Sequence, residues 1–400
     1  MPRKQAPQVS RIILNSDLTG FDSASRITED HRKIMRNYAS PLLSGPAPSE
    51  LLLEMIAHMF TEEEAAIAAH LPPLRPRTAQ KVAEKTGRSV TEVKGILDHL
   101  SFRKAIILAS GTPSKYAIMP IVPGTFEMAL MTKDLSTRNE WHKKFAQYFE
   151  KLWETGYIAD YKRYSKALVR YVPVQSLTGS LQSAWPSDYL DEILSRYDDF
   201  AVTHCQCRLA MELSDKGCGK PLEACASFGP LVKPLLERGL ARRVDKAEML
   251  AIKKNAEENG CVTWLMNAAG DPKGDCSCSC CGCCCHALRS VTQYNVPGMI
   301  ATPHFMPEKI EEKCKRCGLC VKACPMNAWT EGADKAVSFD RKRCIGCGLC
   351  VVSCKPGALS LSPIGKVKPP EENYLSLLLK LFPGFAANSV SVFAKRILKL

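Results

Sequence analysis

Eight cysteines between Cys314 and Cys354 have the residue type and spacing of a redox centre. They form two runs, Cys314-x2-Cys317-x2-Cys320-x3-Cys324 and Cys344-x2-Cys347-x2-Cys350-x3-Cys354, displaced by 30 residues at all four positions. The spacing C-x2-C-x2-C-x3-C is one that ligates [4Fe–4S] clusters. Three thiolates at i, i+3 and i+6 can wrap one cube of iron and sulfide if the loop stays tight, and Gly318, Gly346 and Gly348 permit that turn. Backbone amides then approach the cluster sulfurs and, with net charge and exposure, set the reduction potential. The chemistry implied is one-electron transfer.

Over roughly residues 305–365 the pattern resembles the bacterial two-cluster ferredoxin family. The resemblance implies a βαβ-repeat domain in which the fourth cysteine of each run serves the other cluster. One cluster would lie on Cys314, Cys317, Cys320 and Cys354, and the second on Cys344, Cys347, Cys350 and Cys324. Cys324-Pro325 follows the family pattern, whereas Cys354-Lys355-Pro356 moves the proline one step and brings a charge beside the cluster. Ala328 and Ala358, four residues past the last cysteine of each run, are expected to preserve a helix start. A pair of zinc sites is the alternative, but zinc usually joins two C-x2-C knuckles across a longer loop.

A second cysteine system precedes these runs. His204-Cys205-Gln206-Cys207-Arg208 is followed by Cys218 and Cys225, and then by Cys276-Ser-Cys278-Ser-Cys280-Cys281-Gly-Cys283-Cys284-Cys285-His286. Seven thiols within ten residues repel as thiolates and oxidise readily unless a soft metal or cluster holds them. The expectation is a further centre, with Cys205, Cys207, Cys218 and Cys225 as one ligand set and Cys278, Cys280, Cys281, Cys283, Cys284 and Cys285 as another. Softness and company favour Fe–S over zinc or another thiolate-bound metal there. The order also resembles iron–sulfur proteins in which a His-Cys-x-Cys-Arg stretch and a cysteine-rich block precede a two-cluster ferredoxin. Cys261 reads as a packing residue, and His204 and His286 as hydrogen-bond partners as readily as ligands. No Gly-rich strand-to-helix phosphate loop accompanies these residues, so flavin or nicotinamide binding is unsupported; catalytic residues are not identified, and any catalysis would use this second cysteine system.

The elements that must position this chemistry read as an α+β, multi-domain chain of 400 residues. Residues 1–47 are an N-terminal extension. From 48 to 130 the pattern is helix, helix, helix and hairpin: Ser49 caps a helix carrying Leu51, Leu52, Met55, Ile56 and Met59, and Gly87 closes the next. A third helix turns Val90, Val93, Ile96, Leu97 and Leu100 inward, and two strands flank Gly111-Thr-Pro113. This resembles a winged helix-turn-helix. Its outward face of Thr91, Glu92, Lys94, Gly95, Asp98 and His99 suits phosphate poorly, so protein docking is favoured over DNA. Residues 131–300 read as a mostly helical, cysteine-rich domain, with the Trp and Tyr of 140–200 as core. Residues 366–400 read as a tail broken at Pro383-Gly384, whose final helix sets Ala386, Val390, Phe393, Ile397 and Leu400 beside Lys395, Arg396 and Lys399. Such a basic amphipathic helix folds back on its own domain, touches an anionic membrane or docks on a partner.

Composition narrows the compartment. Twenty cysteines, without an apolar leader after Met1-Pro-Arg-Lys and without about 20 consecutive apolar residues to span a bilayer, point to a reducing cytoplasm, and an anaerobic host is expected. The net charge of +13 (54 basic minus 41 acidic) is offset by ligated thiolates, so basicity is weak evidence for nucleic acid. The reading is an electron carrier or oxidoreductase subunit with redox protein partners, more than a stand-alone enzyme. A redox-sensing transcriptional regulator and a redox enzyme acting at the middle site are the alternatives.

Overall fold

A computed structural model describes residues 26–73, 75–181, 183–271, 274–365 and 367–398. Residues 1–25 of the extension, and Lys399 and Leu400 of the tail, lie outside the described residues. The chain divides into two compact units. One comprises Lys162–Arg208 and Cys218–Gly384; the other holds the described residues up to Tyr161, Leu209–Gly217 and those from Phe385 onward.

In the second unit, Ser49 accepts a hydrogen bond from the Leu52 amide and starts the helix Glu50–Met59, which buries Leu52, Met55, Ile56 and Met59. Thr78 caps Ala79–Thr86, and Gly87 ends it at φ +69°, a left-handed conformation that favours glycine. Ser89 caps Val90–Asp98, which buries Val93 and Leu97. Val90, expected inside, is exposed, because the first turn of that helix projects past the core. Strands β1 (Arg77–Thr78), β2 (Ile107–Ser110) and β3 (Lys115–Ile118) form an antiparallel sheet in the order β1-β3-β2. The longer helix Glu140–Glu154 buries Trp141, Phe145, Phe149 and Trp153. The Lys104 side chain is wholly buried, with its ammonium 2.7 Å from the Glu64 carboxylate.

The first unit corrects the expectation of a mostly helical middle. Strands β4 (Val169–Tyr171), β5 (Phe200–His204), β6 (Glu223–Phe228), β7 (Arg242–Val244), β8 (Val262–Met266) and β9 (Asp275–Cys280) make a six-stranded antiparallel sheet, ordered β4-β8-β9-β6-β5-β7. The strands are short, and several are buried on both faces, so they show apolar runs too brief to be told from helix segments by period. Strand β9 does alternate: its serines fall on one face and Cys276, Cys278 and Cys280 on the other.

The two C-terminal cysteine runs each comprise a strand, a loop, a short helix and a strand. Strands β10 (Phe305–Lys309) and β13 (Leu359–Pro363) pair antiparallel, as do β11 (Trp329–Glu331) and β12 (Val337–Phe339). The outer pair thus joins the start of the first run to the end of the second.

The tail departs from its expected break, for one helix runs from Tyr374 to Leu398 through Pro383. Proline cannot donate to the Leu379 carbonyl one turn back, and beside that gap Ser165 bridges the next pair: its hydroxyl donates to the Lys380 carbonyl and accepts from the Gly384 amide at 3.2 Å. Its 25 residues are long and apolar enough, by length and composition alone, to cross a membrane, contrary to the expectation that no segment would be. Leu377 and Leu381 are buried against Met266 and Ala268. By contrast Val390, Phe393 and Ile397, the face expected to pack, are exposed along with Leu375, Leu379 and Phe382.

Breaking a buried ion pair leaves its partner's charge uncompensated, at about 3–5 kcal/mol. Lys104→Met is therefore expected to weaken hydrogen-exchange protection of the helix Glu62–Ala68 by that order. A loss below about 1 kcal/mol would place the pair with exposed ion pairs.

Candidate metal centres

Two cavities open within the C-terminal repeats, and four cysteines line each. The first is bounded by Cys314, Cys317, Cys320 and Cys354, together with Lys309, Lys315 and Arg316. The second is bounded by Cys324, Cys344, Cys347 and Cys350 and by Met326, Trp329, Phe339 and Ile345. Each quartet draws three cysteines from one run and its fourth from the other. The donor set is all thiolate, four sulfurs to each cavity, which fits a cluster of iron and sulfide.

Local backbone builds the quartets. Gly318, Gly346 and Gly348 have φ of +66°, +68° and +79°. A Cβ on Gly346 would come 2.5 Å from the Phe305 carbonyl, so the loop can lie against β10 only with glycine there. The amides of Ala328 and Ala358 each donate to a cysteine sulfur at 3.3 Å, Cys324 and Cys354 respectively. The Gly346 amide reaches the Cys344 sulfur at the same distance. The two alanines thus precede β11 and β13, not helices, and their amides turn to sulfur. Their shared offset from the last cysteine was the available signal for this role.

The quartets differ in surroundings. Cys317 is exposed and the rest of its set half-buried, whereas Cys347 and Cys350 are buried. Burial pushes the thiols of Cys344 and Cys350 up to about 11 and about 12. They hold their protons until a metal displaces them.

The middle cysteines group by the face they occupy, not by the segment they come from. Cys225 on β6 and Cys278 on β9 face each other, sulfurs 3.8 Å apart. Thiol hydrogen bonds continue this chain from Cys225 to Cys205, Cys207, Cys285 and Cys280. Six cysteines so form one chain, buried except for the half-buried Cys207 and Cys278. Cys218 is not among them, although the sequence sets it with Cys205, Cys207 and Cys225. It lies instead with Cys281, Cys283 and Cys284, all four sulfurs within 4.8 Å of one another. Adjacent Cys280 and Cys281 therefore belong to different groups, as expected for neighbouring side chains pointing apart.

Cations surround both groups. Arg208 is buried and donates to the Ser279 carbonyl at 2.7 Å and to the Cys261 sulfur at 3.5 Å. Its Nε and Nη2 have no hydrogen-bond partner among the described residues. A buried guanidinium so placed fits an anionic thiolate centre better than a neutral core. Lys253, wholly buried, donates to Ser277 at 2.8 Å, and Cys278, Cys225 and Cys280 counter the desolvation that lowers its pKa. His286 accepts from Arg289 at Nε2, 3.4 Å away, so Nδ1 carries the proton offered to the Cys207 sulfur at 3.3 Å. Arg208 and Lys253 as counter-charges were not anticipated from sequence; a buried lysine on the helix Lys246–Glu258 has no local signature.

The six-cysteine chain and the second cavity share a core. Cys280 and Cys285 pack in one buried cluster with Met326, Ile345 and Cys347, and the Val174 amide donates to the Cys347 carbonyl at 3.0 Å. Gly282 sits directly on the Pro325 carbonyl, where a Cβ would overlap it.

The family model of the 4Fe-4S dicluster domain matches residues 306–355, fifty of the 400. That segment is a ferredoxin-like iron–sulfur domain holding at least one [4Fe–4S] cluster, with electron transfer as its function. A search of curated proteins finds no match to the chain.

Overpacking a tight contact costs about 1–3 kcal/mol. Gly282→Ala is expected to lower the melting temperature of the anaerobic protein accordingly, and to perturb the spectrum of the centre beside Cys324. An unchanged melt and spectrum would show that the contact with Pro325 yields freely.

Proposed function

We propose that this chain is an electron relay with two [4Fe–4S] clusters of the bacterial two-cluster type. The first sits on Cys314, Cys317, Cys320 and Cys354, and the second on Cys344, Cys347, Cys350 and Cys324. The observation that carries this reading is the pair of cavities, each walled by four cysteines of which one is borrowed from the other repeat. A further thiolate-bound metal or Fe–S centre in the middle domain completes the relay, with Cys205, Cys207, Cys225, Cys278, Cys280 and Cys285 as its ligand pool.

Exposure supports a direction. The half-exposed first quartet, flanked by Lys315 and Arg316, is the port for an acidic redox protein, and the buried second quartet adjoins the middle cysteines. When bound, the clusters supply one-electron carriers. The chain's own part is ligation, burial and amide–sulfur bonding through Gly346, Ala328 and Ala358.

The N-terminal module is read as a winged helix used for docking. Its support is a pair of helices, Ala79–Thr86 and Val90–Asp98, set between β1 and the β2–β3 hairpin of a β1-β3-β2 sheet. On the helix that would enter a groove, Glu92 pairs with Arg88 and Lys94 with Asp98, leaving little positive charge for phosphate. The exposed face of the C-terminal helix is a contact for a membrane surface or a partner. A cytoplasmic, anaerobic setting suits these oxygen-labile ligands.

Paired substitutions test the ligand sets. Cys354→Ser is expected to remove about four irons, and adding Cys314→Ser should remove no more, because both hold one cluster. Adding Cys344→Ser instead should empty both. Iron and acid-labile sulfide after anaerobic purification read the outcome, and additive loss for Cys354 with Cys314 would refute the exchange of ligands. The same protein is expected to bind DNA without sequence preference, if at all. Tight, salt-sensitive, sequence-dependent binding in gel shifts would favour the regulator.

A further inference from the structure

Four sulfurs around one cation and four around a cube require different spacings. A tetrahedral ion with metal–sulfur bonds of about 2.3 Å sets its sulfurs about 3.8 Å apart. A cubane holds its thiolates markedly farther apart, because four irons stand between them. The sulfurs of Cys218, Cys281, Cys283 and Cys284 all lie within 4.8 Å of one another, with 3.6 Å between Cys283 and Cys284. No other group of three or more His, Cys, Asp or Glu converges so closely among the described residues. The ferredoxin quartets line their cavities without drawing together in this way. The same chain thus carries open quartets and one closed quartet.

We infer that Cys218, Cys281, Cys283 and Cys284 form a mononuclear tetrathiolate site for one zinc-class divalent cation, separate from the iron centres. This rests on the reading of the middle cysteines as metal ligands, and divides them: sequence alone favours iron–sulfur ligation for the whole block. Geometry and charge agree. The Cys281-Gly282-Cys283-Cys284 turn supplies three sulfurs from four residues, and Cys218 arrives from the loop before β6. An ion of charge +2 with four thiolates is net −2, and Arg208 Nη1 stands 3.9 Å from the Cys281 sulfur to offset it. Four protein ligands leave no open position, so the site is a staple, not a catalyst. It fastens the Cys218 loop to the turn that packs on Pro325, next to cluster ligand Cys324.

The test uses the full chain, expressed with iron and zinc both supplied and purified anaerobically. One zinc per chain is expected, with zinc-edge absorption reporting four sulfurs at about 2.3 Å. Cys283→Ser, altering the exposed ligand, should lose the zinc and leave iron and acid-labile sulfide unchanged. Cys320→Ser should do the reverse. Nitrogen or oxygen ligands at the zinc edge, or iron and sulfide lost with Cys283→Ser, would overturn the inference. Iron above the eight of two clusters but no zinc would overturn it while leaving a central iron centre standing. No metal at all beyond those eight irons would remove the reading of the middle cysteines as ligands as well.

Discussion

Thiolates crowded into a low-dielectric interior repel one another unless a cation is shared between them, and this constraint shapes the whole cysteine-bearing unit. It accounts for ten cysteines from four segments meeting at the two central strands of one sheet, with Arg208, Lys253 and Arg289 buried among them. A buried guanidinium with two unpartnered nitrogens would be costly in an apolar core. Beside anionic sulfur it becomes a counter-charge. The sheet's role is to deliver thiols: antiparallel register sets Cys225 opposite Cys278, and the pleat sends Cys276, Cys278 and Cys280 to one side.

The same constraint takes another form in the C-terminal repeats. There the thiols stand back from each other around two voids, and backbone amides are directed at sulfur by glycine turns and small buried alanines. The two quartets then diverge by burial alone. One faces solvent among lysine and arginine, and the other is enclosed by Trp329 and Phe339, whose rings stack 4.6 Å apart. In the proposed relay, two chemically identical ligand sets in different surroundings would hold electrons at different potentials and so supply its gradient.

What could be read without coordinates was local. The C-x2-C-x2-C-x3-C runs, the helix caps at Ser49 and Ser89 and the Gly87 stop are encoded within a few residues. The middle sheet was not legible, because strands buried on both faces lack alternation, and because the Cys-Ser alternation of β9 reads as a ligand block before it reads as a strand. Partition of the middle cysteines depends on which face each occupies after strands 50 residues apart have paired, and no spacing rule conveys that. The tail was misjudged at Pro383, where the bridging hydroxyl is Ser165, distant in sequence.

Interlaced walls have a consequence for biosynthesis. Because each void borrows one cysteine from the opposite repeat, a nascent chain that has not yet released Cys354 from the ribosome offers only three thiols to the first void. The four-cysteine wall of the first void is therefore complete only once Cys354 has emerged, and a chain stalled or clipped between the repeats is left with an unfinished cage.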